Sequence, residues 1–285
     1  MVHIYRSDFR IDGKALVLSD IDDTMIPLGT REGLNTLSYF LKRLRSVGVE
    51  VIPVTFKAFN ELNNLMRSLD FRFIAMVAEG GCVIYSSNGL LRDEGSPTLN
   101  GYSVVELCKP ISLFDDLLTT IERSDICGER LLRLSKSSAT DISEFLGLPV
   151  DVVRDSQERF YSDAFITRET LCKAIIKETI SKAGLKTIIT NRSIQVLGAY
   201  KEEGVREFLK RLNLVGRTLP IIGAGDSVAD YGFLSLVDVP ILISKKELPS
   251  FKGSQYIRSF NKPPDSWIHA VKIGLDLIGI HLGYI

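Results

Sequence analysis

Residues 15–24 read Ala-Leu-Val-Leu-Ser-Asp-Ile-Asp-Asp-Thr, a short apolar run that ends in acidic residues and a threonine. A buried strand accounts for the apolar half. Its carboxyl end is where an open α/β sheet gathers ligands. Alternation along an extended chain turns Asp20 and Asp22 to the same side. Two carboxylates placed so can hold a divalent cation or divide nucleophilic and acid–base duties, or they can simply cap an acidic turn. Working outward, Leu34, Leu37, Leu41 and Leu44 recur at helical spacing, and Gly48 ends that helix. Residues 49–54 (VEVIPV) form the next apolar strand, Phe59, Leu62, Leu65, Met66 and Leu69 a second amphipathic helix, and residues 73–78 (FIAMVA) a third strand. Strands alternating with helices imply parallel pairing and right-handed crossovers, hence an α/β fold built on a doubly wound parallel sheet.

Residues 86–101 change character, being rich in Ser, Asn, Gly and Pro, and read as a loop, hairpin or linker. Beyond them the periodicity predicts a helix over 111–122, a strand over 131–134, a short helix over 141–146, a strand over 164–167 and a helix over 169–182. From Thr187 the strand–helix alternation resumes. The expected organisation is a Rossmann-like core of residues 1–85 plus 189–285, with residues 86–188 as an inserted α/β domain.

A second polar strand end follows residues 219–222. It reads Gly223-Ala224-Gly225-Asp226-Ser227-Val228-Ala229-Asp230. Asp226 and Asp230 stand at i and i+4, which places them on one side of a helix. Oxygen-only, acidic surroundings favour Mg²⁺ over softer metals. A dinucleotide fingerprint fails because Val228 stands where a third small residue belongs. Thr55 ends the strand VEVIPV, where a hydroxyl serves either as a helix cap or as a donor to a phosphoryl oxygen. Lys201 stands just before another helix.

Composition narrows the function classes. The chain of 285 residues carries 35 Lys plus Arg against 35 Asp plus Glu, so it lacks the basic excess of a broad nucleic-acid surface. No stretch of about 18 uncharged apolar residues is present, so no membrane span is expected. The charged N-terminal residues lack the apolar segment of a signal peptide. Three histidines and four cysteines without a CxxC pair argue against zinc. Cys82, Cys108, Cys127 and Cys172 read as free, small apolar fillers in a reduced cytoplasmic compartment. Trp267 reads as core at the start of the last helix, and Lys245-Lys246-Glu247 as solvated surface.

The ordered set of strand-end DxDxT, strand-end Thr, later Lys and strand-end GDSxxD resembles the haloacid dehalogenase superfamily of phosphotransferases. The insert lies between the Thr55 and Lys201 motifs, which marks the subclass with an α/β cap. The stretches VIPVTFKAFNEL, VAEGGCVIY, GYSVVELCKPISLFDDLL, RFYSDAF and GAGDSVADYGFLSLVDVPILI narrow the likeness to the mannosyl-3-phosphoglycerate phosphatases. The resemblance implies that Asp20 is the nucleophile and Asp22 the general acid, then base. It implies that Thr55 and Lys201 hold phosphoryl oxygens. Asp20, the Asp22 carbonyl and Asp226 would bind Mg²⁺, supported by Asp230. Lys57, Arg159, Asp163 and Arg192 would meet a small phosphorylated sugar, with the cap closing on hinges near residues 86–87 and 186–191. A monomer or homodimer is expected. A sugar phosphomutase or a non-catalytic phosphosugar-binding protein is the alternative on the same scaffold. The chain departs from the family pattern at five places. Asp23 replaces Gly, Phe56 replaces Ser, Gly80 replaces Asn, Ala229 replaces Asn, and Thr190-Asn191-Arg192-Ser193-Ile194-Gln195 replaces Gly-Gly-Arg-Phe-Tyr-His. These changes fall on the phosphate shell and the substrate surface, not on the nucleophile or the metal carboxylates.

Overall fold

The computed structural model describes residues 14–30, 32–87, 90–91, 97–124, 131–212, 219–244 and 256–282. Cys127, the Lys245–Glu247 run and nearly all of the N-terminal segment lie outside the described residues. In chain order the elements begin with β1 (Ala15–Ser19), α1 (Leu34–Ser46), β2 (Val49–Pro53) and α2 (Phe59–Leu69). There follow β3 (Ala75–Ala78), β4 (Val83–Ser87), β5 (Thr98–Leu99) and β6 (Tyr102–Glu106). The middle of the chain holds α3 (Asp115–Arg123), β7 (Leu132–Arg133), α4 (Ala139–Leu146), α5 (Val150–Gln157), β8 (Ser162–Ile166) and α6 (Thr170–Lys182). The last part holds β9 (Lys186–Ile189), β10 (Ser193–Leu197), α7 (Lys201–Arg211), β11 (Ile221–Gly225), α8 (Tyr231–Leu234), β12 (Val239–Ile243), β13 (Ile257–Ser259) and α9 (Asp265–Leu277).

A five-stranded parallel sheet in the order β13-β12-β11-β1-β2 forms the core, as the doubly wound reading expects. Alternation along β1 explains why both faces are covered. Ala15 and Val17 pack with Leu37, Leu41 and Trp267 of α1 and α9. Leu16 and Leu18 pack with Val205, Phe208 and Phe233 of α7 and α8. Strands buried on both faces read as unbroken apolar runs, which is why ALVLS and VEVIPV are so legible. Trp267 is fully buried, and its indole N–H donates to Ser19 Oγ at 2.9 Å, while Ser19 Oγ donates to the Asp20 carbonyl at 2.7 Å. The last helix thus reaches the polar end of β1. Among the described residues no helix is long and apolar enough to cross a membrane.

The third strand differs from expectation. β3 touches the parallel sheet through a single parallel bridge, Val54 to Val77, and otherwise pairs antiparallel with β4 in a second sheet ordered β3-β4-β6-β5. The tight 3₁₀ turn Glu79–Gly81 returns the chain at once, so no crossover helix separates the two strands. A third, antiparallel sheet, β7-β8-β10-β9, carries its own apolar cluster with α3 and α6. Sheet membership therefore divides the chain at other residues than the expected 86 and 188. β5 and β6 pair back onto β4 beside the core, and β9 and β10 pair with β8 in the inserted unit. The chain crosses between the two units at residues 107–110 and 198–200. The expected hinges at 86–87 and 186–191 lie instead largely within strands. The sequence reading also misses α5, whose eight residues bury little beyond Val153.

The inserted unit contains a buried ion pair. Arg133 Nε donates to Asp163 Oδ2 at 2.7 Å, with side-chain exposures of 2% and 1%. Arg133 Nη2 reaches Asp115 at 2.6 Å. Asp163 also accepts from the Ser135 backbone N–H and hydroxyl. The cysteines correct a second expectation. Cys82 and Cys108 are free, whereas Cys172 is disulfide-bonded.

A buried charge left without its partner is strongly destabilising. Arg133→Met is expected to lower the unfolding free energy by about 3–5 kcal/mol, measured by urea denaturation followed by circular dichroism. Arg133→Met combined with Asp163→Leu is expected to recover much of that loss.

Candidate active site

The two polar strand ends lie side by side because β1 and β11 are adjacent and in register, Ser19 opposite Ala224. Asp20 N–H donates to the Ala224 carbonyl at 2.9 Å, which extends the pairing by one residue and presents the Asp20 carboxylate beyond the sheet edge. The first residue of α7, Lys201, projects back to the same point. Its Nζ lies 2.7 Å from Asp20 Oδ1 and 2.7 Å from Asp230 Oδ1, and all three side chains are buried. Asp20 Oδ2 accepts from the Thr24 hydroxyl at 3.2 Å.

Asp226 and Asp230 meet as the sequence expects, though not on one helix face. Residues 228–230 form a 3₁₀ turn, and α8 begins only at Tyr231. Asp230 folds back so that its Oδ2 accepts from the backbone N–H of Asp226 at 3.1 Å, the N–H of Ser227 at 3.0 Å and the Ser227 hydroxyl at 2.9 Å. Gly225 permits this approach, since a Cβ there would lie 2.4 Å from Asp230 Cβ. The position of Ala229, an Asn in the resembling pattern, lies within the 3₁₀ turn.

Burial sets the electrostatics. It lifts the Asp20 carboxyl to about 7, with Lys201 pulling down and Asp230 pushing up. Burial likewise lifts Asp226 to about 8, reinforced by Asp230 and Asp20. The Lys201 ammonium, despite its burial, is held above its ordinary range by Asp20 and Asp230. Three carboxylates against one ammonium leave the cluster short of positive charge. Ligand oxygens of Asp20, Asp226 and Asp230 all lie within 4.8 Å of one another. A hard divalent cation fits this oxygen-only set. Both oxygens of Asp230 and both of Asp20 already accept, Asp230 from four donors and Asp20 from two, so Asp230 is the more fully engaged carboxylate of the pair.

Asp22 lies at the rim, partly exposed, and Lys57 Nζ holds its Oδ2 at 2.8 Å. Lys57 also lies 3.5 Å from Glu61, and the two acids keep its ammonium above the usual lysine range against the effect of burial. Thr55 is buried at the end of β2, its Oγ1 accepting from the Lys57 N–H at 3.2 Å. The inserted unit contributes Arg159, which donates to the Phe56 carbonyl and lies 3.8 Å from Glu61.

Two expected substrate residues are not brought here. Asp163 is buried inside the inserted unit and fully engaged by Arg133, Ser135 and the Ala164 N–H. Arg192 sits at the β9–β10 turn, donating to the Leu146 carbonyl, at the end of β10 remote from Leu197 and Lys201. Sequence spacing cannot tell which end of a strand faces a partner domain. The sequence reading also missed Glu79. Its buried carboxylate accepts from the Phe160 N–H, the Tyr161 N–H at 2.8 Å and the Ser162 hydroxyl at 2.8 Å, clasping the inserted unit to the core. Its signal was the glycine pair after an acidic residue, read as a turn and, at Gly80, as a departure from the family pattern.

No family model matches the chain. The mannosyl-3-phosphoglycerate phosphatase of Aeropyrum pernix is 27% identical over 222 residues, covering 75% of this chain and 78% of that one. The glucosyl-3-phosphoglycerate/mannosyl-3-phosphoglycerate phosphatase of Methanococcoides burtonii is 23% identical and covers 93% and 98%. Among solved structures, a haloacid dehalogenase-like hydrolase from B. subtilis superposes with a TM-score of 0.60 at 14% identity, covering 90% of this chain and 96% of that one. The sucrose-phosphatase of Synechocystis, solved with sucrose and phosphate, gives a TM-score of 0.56 at 13% identity, covering 93% and 98%. With its parallel sheet and inserted α/β unit, the chain has the fold of the haloacid dehalogenase-like hydrolases, and in sequence it resembles the mannosyl-3-phosphoglycerate phosphatases.

Proposed function

We propose that this chain is a Mg²⁺-dependent phosphatase acting on a phosphorylated sugar or sugar–glycerate ester, with mannosyl-3-phosphoglycerate as its leading substrate. The observation that carries this reading is the Lys201 ammonium shared between Asp20 and Asp230, with the Asp226 carboxylate alongside. The names of the sequence relatives supply the substrate class.

An Asp20 carboxylate oxygen attacks phosphorus, and the bond from phosphorus to the ester oxygen breaks. Asp22 delivers a proton to the departing alkoxide, giving the free alcohol and an aspartyl phosphate on Asp20. Water then attacks phosphorus, Asp22 takes its proton, and the aspartate is restored as inorganic phosphate leaves. Splitting the transfer in this way lets one pocket serve first an alcohol and then water. Lys57 holds Asp22 Oδ2 and leaves Oδ1 for the proton. Lys201 offsets the repulsion between the attacking carboxylate and the phosphate dianion. Asp20 and Asp226 would hold Mg²⁺, which when bound neutralises further charge on the phosphoryl oxygens. Thr55 lies just beyond the end of the neighbouring strand β2, where its hydroxyl supports a phosphoryl oxygen.

Phosphate release is expected from purified protein with Mg²⁺ on a panel of mannosyl- and glucosyl-3-phosphoglycerate, sucrose 6-phosphate, hexose phosphates and an aryl phosphate. Asp20→Asn is expected to lower turnover by roughly 10³-fold or more while circular dichroism shows the fold intact. Full turnover in Asp20→Asn would refute the nucleophile.

Mg²⁺ is expected to raise the melting temperature in a saturable way, since a ligand bound only by the folded state stabilises it by about 2.7 kcal/mol at 100 times its Kd. Asp226→Asn is expected to remove most of that rise. A rise of equal size in the variant would exclude Asp226 as a ligand.

A further inference from the structure

Phe56 occupies a position that the mechanism above leaves unused. It directly follows Thr55 and is neither buried in the core nor fully exposed. Its ring centroid lies 4.6 Å from Lys201 Nζ, the same nitrogen that lies 2.7 Å from Asp20. The ring therefore forms part of the wall beside the reacting carboxylate. Its backbone carbonyl accepts from Arg159, so the residue is fixed where the inserted unit meets the core.

Gly80 lies against the same ring. Its φ is +72°, and a Cβ built there would meet Phe56 Cδ1 at 3.0 Å, Phe56 Cε1 at 3.1 Å and Leu197 Cδ2 at 2.8 Å. The ring and the Leu197 side chain together fill the volume that a side chain at position 80 would need. Positions 56 and 80 are two of the places where the chain departs from the pattern it resembles, and the structure makes them one event. A hydroxyl and an amide, both able to bond polar groups of a substrate, are exchanged for one aromatic face and an absent side chain.

Resting on the phosphatase reading, we propose that Phe56 is a specificity-determining residue. Its ring supplies the apolar face against which the carbohydrate part of a phosphate monoester lies, and the ring, together with Leu197, closes position 80 to a side chain. Ligand sites combine predominantly apolar walls with a few placed polar groups. Here Lys201 and Thr55 address the phosphoryl group, and the adjoining ring addresses the C–H face of the sugar. The contact with the Lys201 ammonium also keeps the ring in place.

The test is a double-mutant cycle with Phe56→Ser, Gly80→Asn and the double variant. Asn tolerates positive φ better than most residues, so backbone strain alone does not decide the outcome. Gly80→Asn is expected to lower the melting temperature by about 3 °C or more, and adding Phe56→Ser to restore part of it, the rest being set by Leu197. The ratio of kcat/KM for a hexosyl phosphoglycerate to that for acetyl phosphate is expected to fall about fivefold or more in Phe56→Ser. A Gly80→Asn protein as stable as the parent, or a double variant no better than Gly80→Asn, would overturn the packing half. An unchanged ratio would overturn the specificity half. If the parent protein releases phosphate from no ester, the phosphatase reading falls and the specificity half with it, whereas the melting temperatures still decide whether the ring excludes a side chain at position 80.

Discussion

The shared ammonium of Lys201 is the constraint around which the core is arranged. A buried charge is tolerable only when paired and hydrogen-bonded, and this one is satisfied by two carboxylates from different parts of the chain. Asp20 comes from the end of β1, Asp230 from the turn after β11, and Lys201 from the first turn of α7. All three must converge for any one of them to be buried without penalty. The demand reaches further back. Asp230 can face Lys201 only because the 3₁₀ turn folds it over the N–H groups of Asp226 and Ser227, and Gly225 gives it room. Asp20 is carried by a strand end that Trp267 fixes through Ser19.

A second buried carboxylate does similar duty between the two units. Glu79 adopts a positive φ of 45° and accepts from three donors, the backbone N–H groups of Phe160 and Tyr161 and the hydroxyl of Ser162, the first residue of β8. Around it, Arg159 reaches the Phe56 carbonyl and Asn64 donates to Asp155 at 2.8 Å. The seating of the inserted unit combines these polar contacts with apolar ones, Leu197 lying beside Gly80 and Leu148 beside Gly29. The residues that seat the unit also border the site, since Arg159 donates to the carbonyl of Phe56, next to Thr55.

Legibility followed the range of the interactions. β1, β2, α1 and α2 were readable because each is fixed by a local period and by burial on known faces. α5 escaped because its burial is slight and its sequence, VDVVRDSQ, carries no long apolar stripe. β3 was read as a strand, yet its antiparallel pairing with β4 depends on the tightness of the Glu79–Gly81 turn. Cys172 was read as a filler because pairing of thiols depends on spatial proximity, which linear spacing does not reveal.

The sequence by itself determined the chemistry-bearing strand ends. Asp20, Asp22, Thr55, Lys201, Asp226 and Asp230 all stand next to apolar runs or helix starts whose identity is local. Only the tertiary structure decided which more distant residues join them. It withdrew Asp163 into an ion pair with Arg133, left Arg192 at the far turn of β10, placed Lys57 on Asp22 and set the Phe56 ring against Gly80. The physical reason is that a strand end is exposed by the backbone pattern alone, whereas the partner of a buried charge or the neighbour of a missing side chain is fixed by packing between segments far apart in the chain.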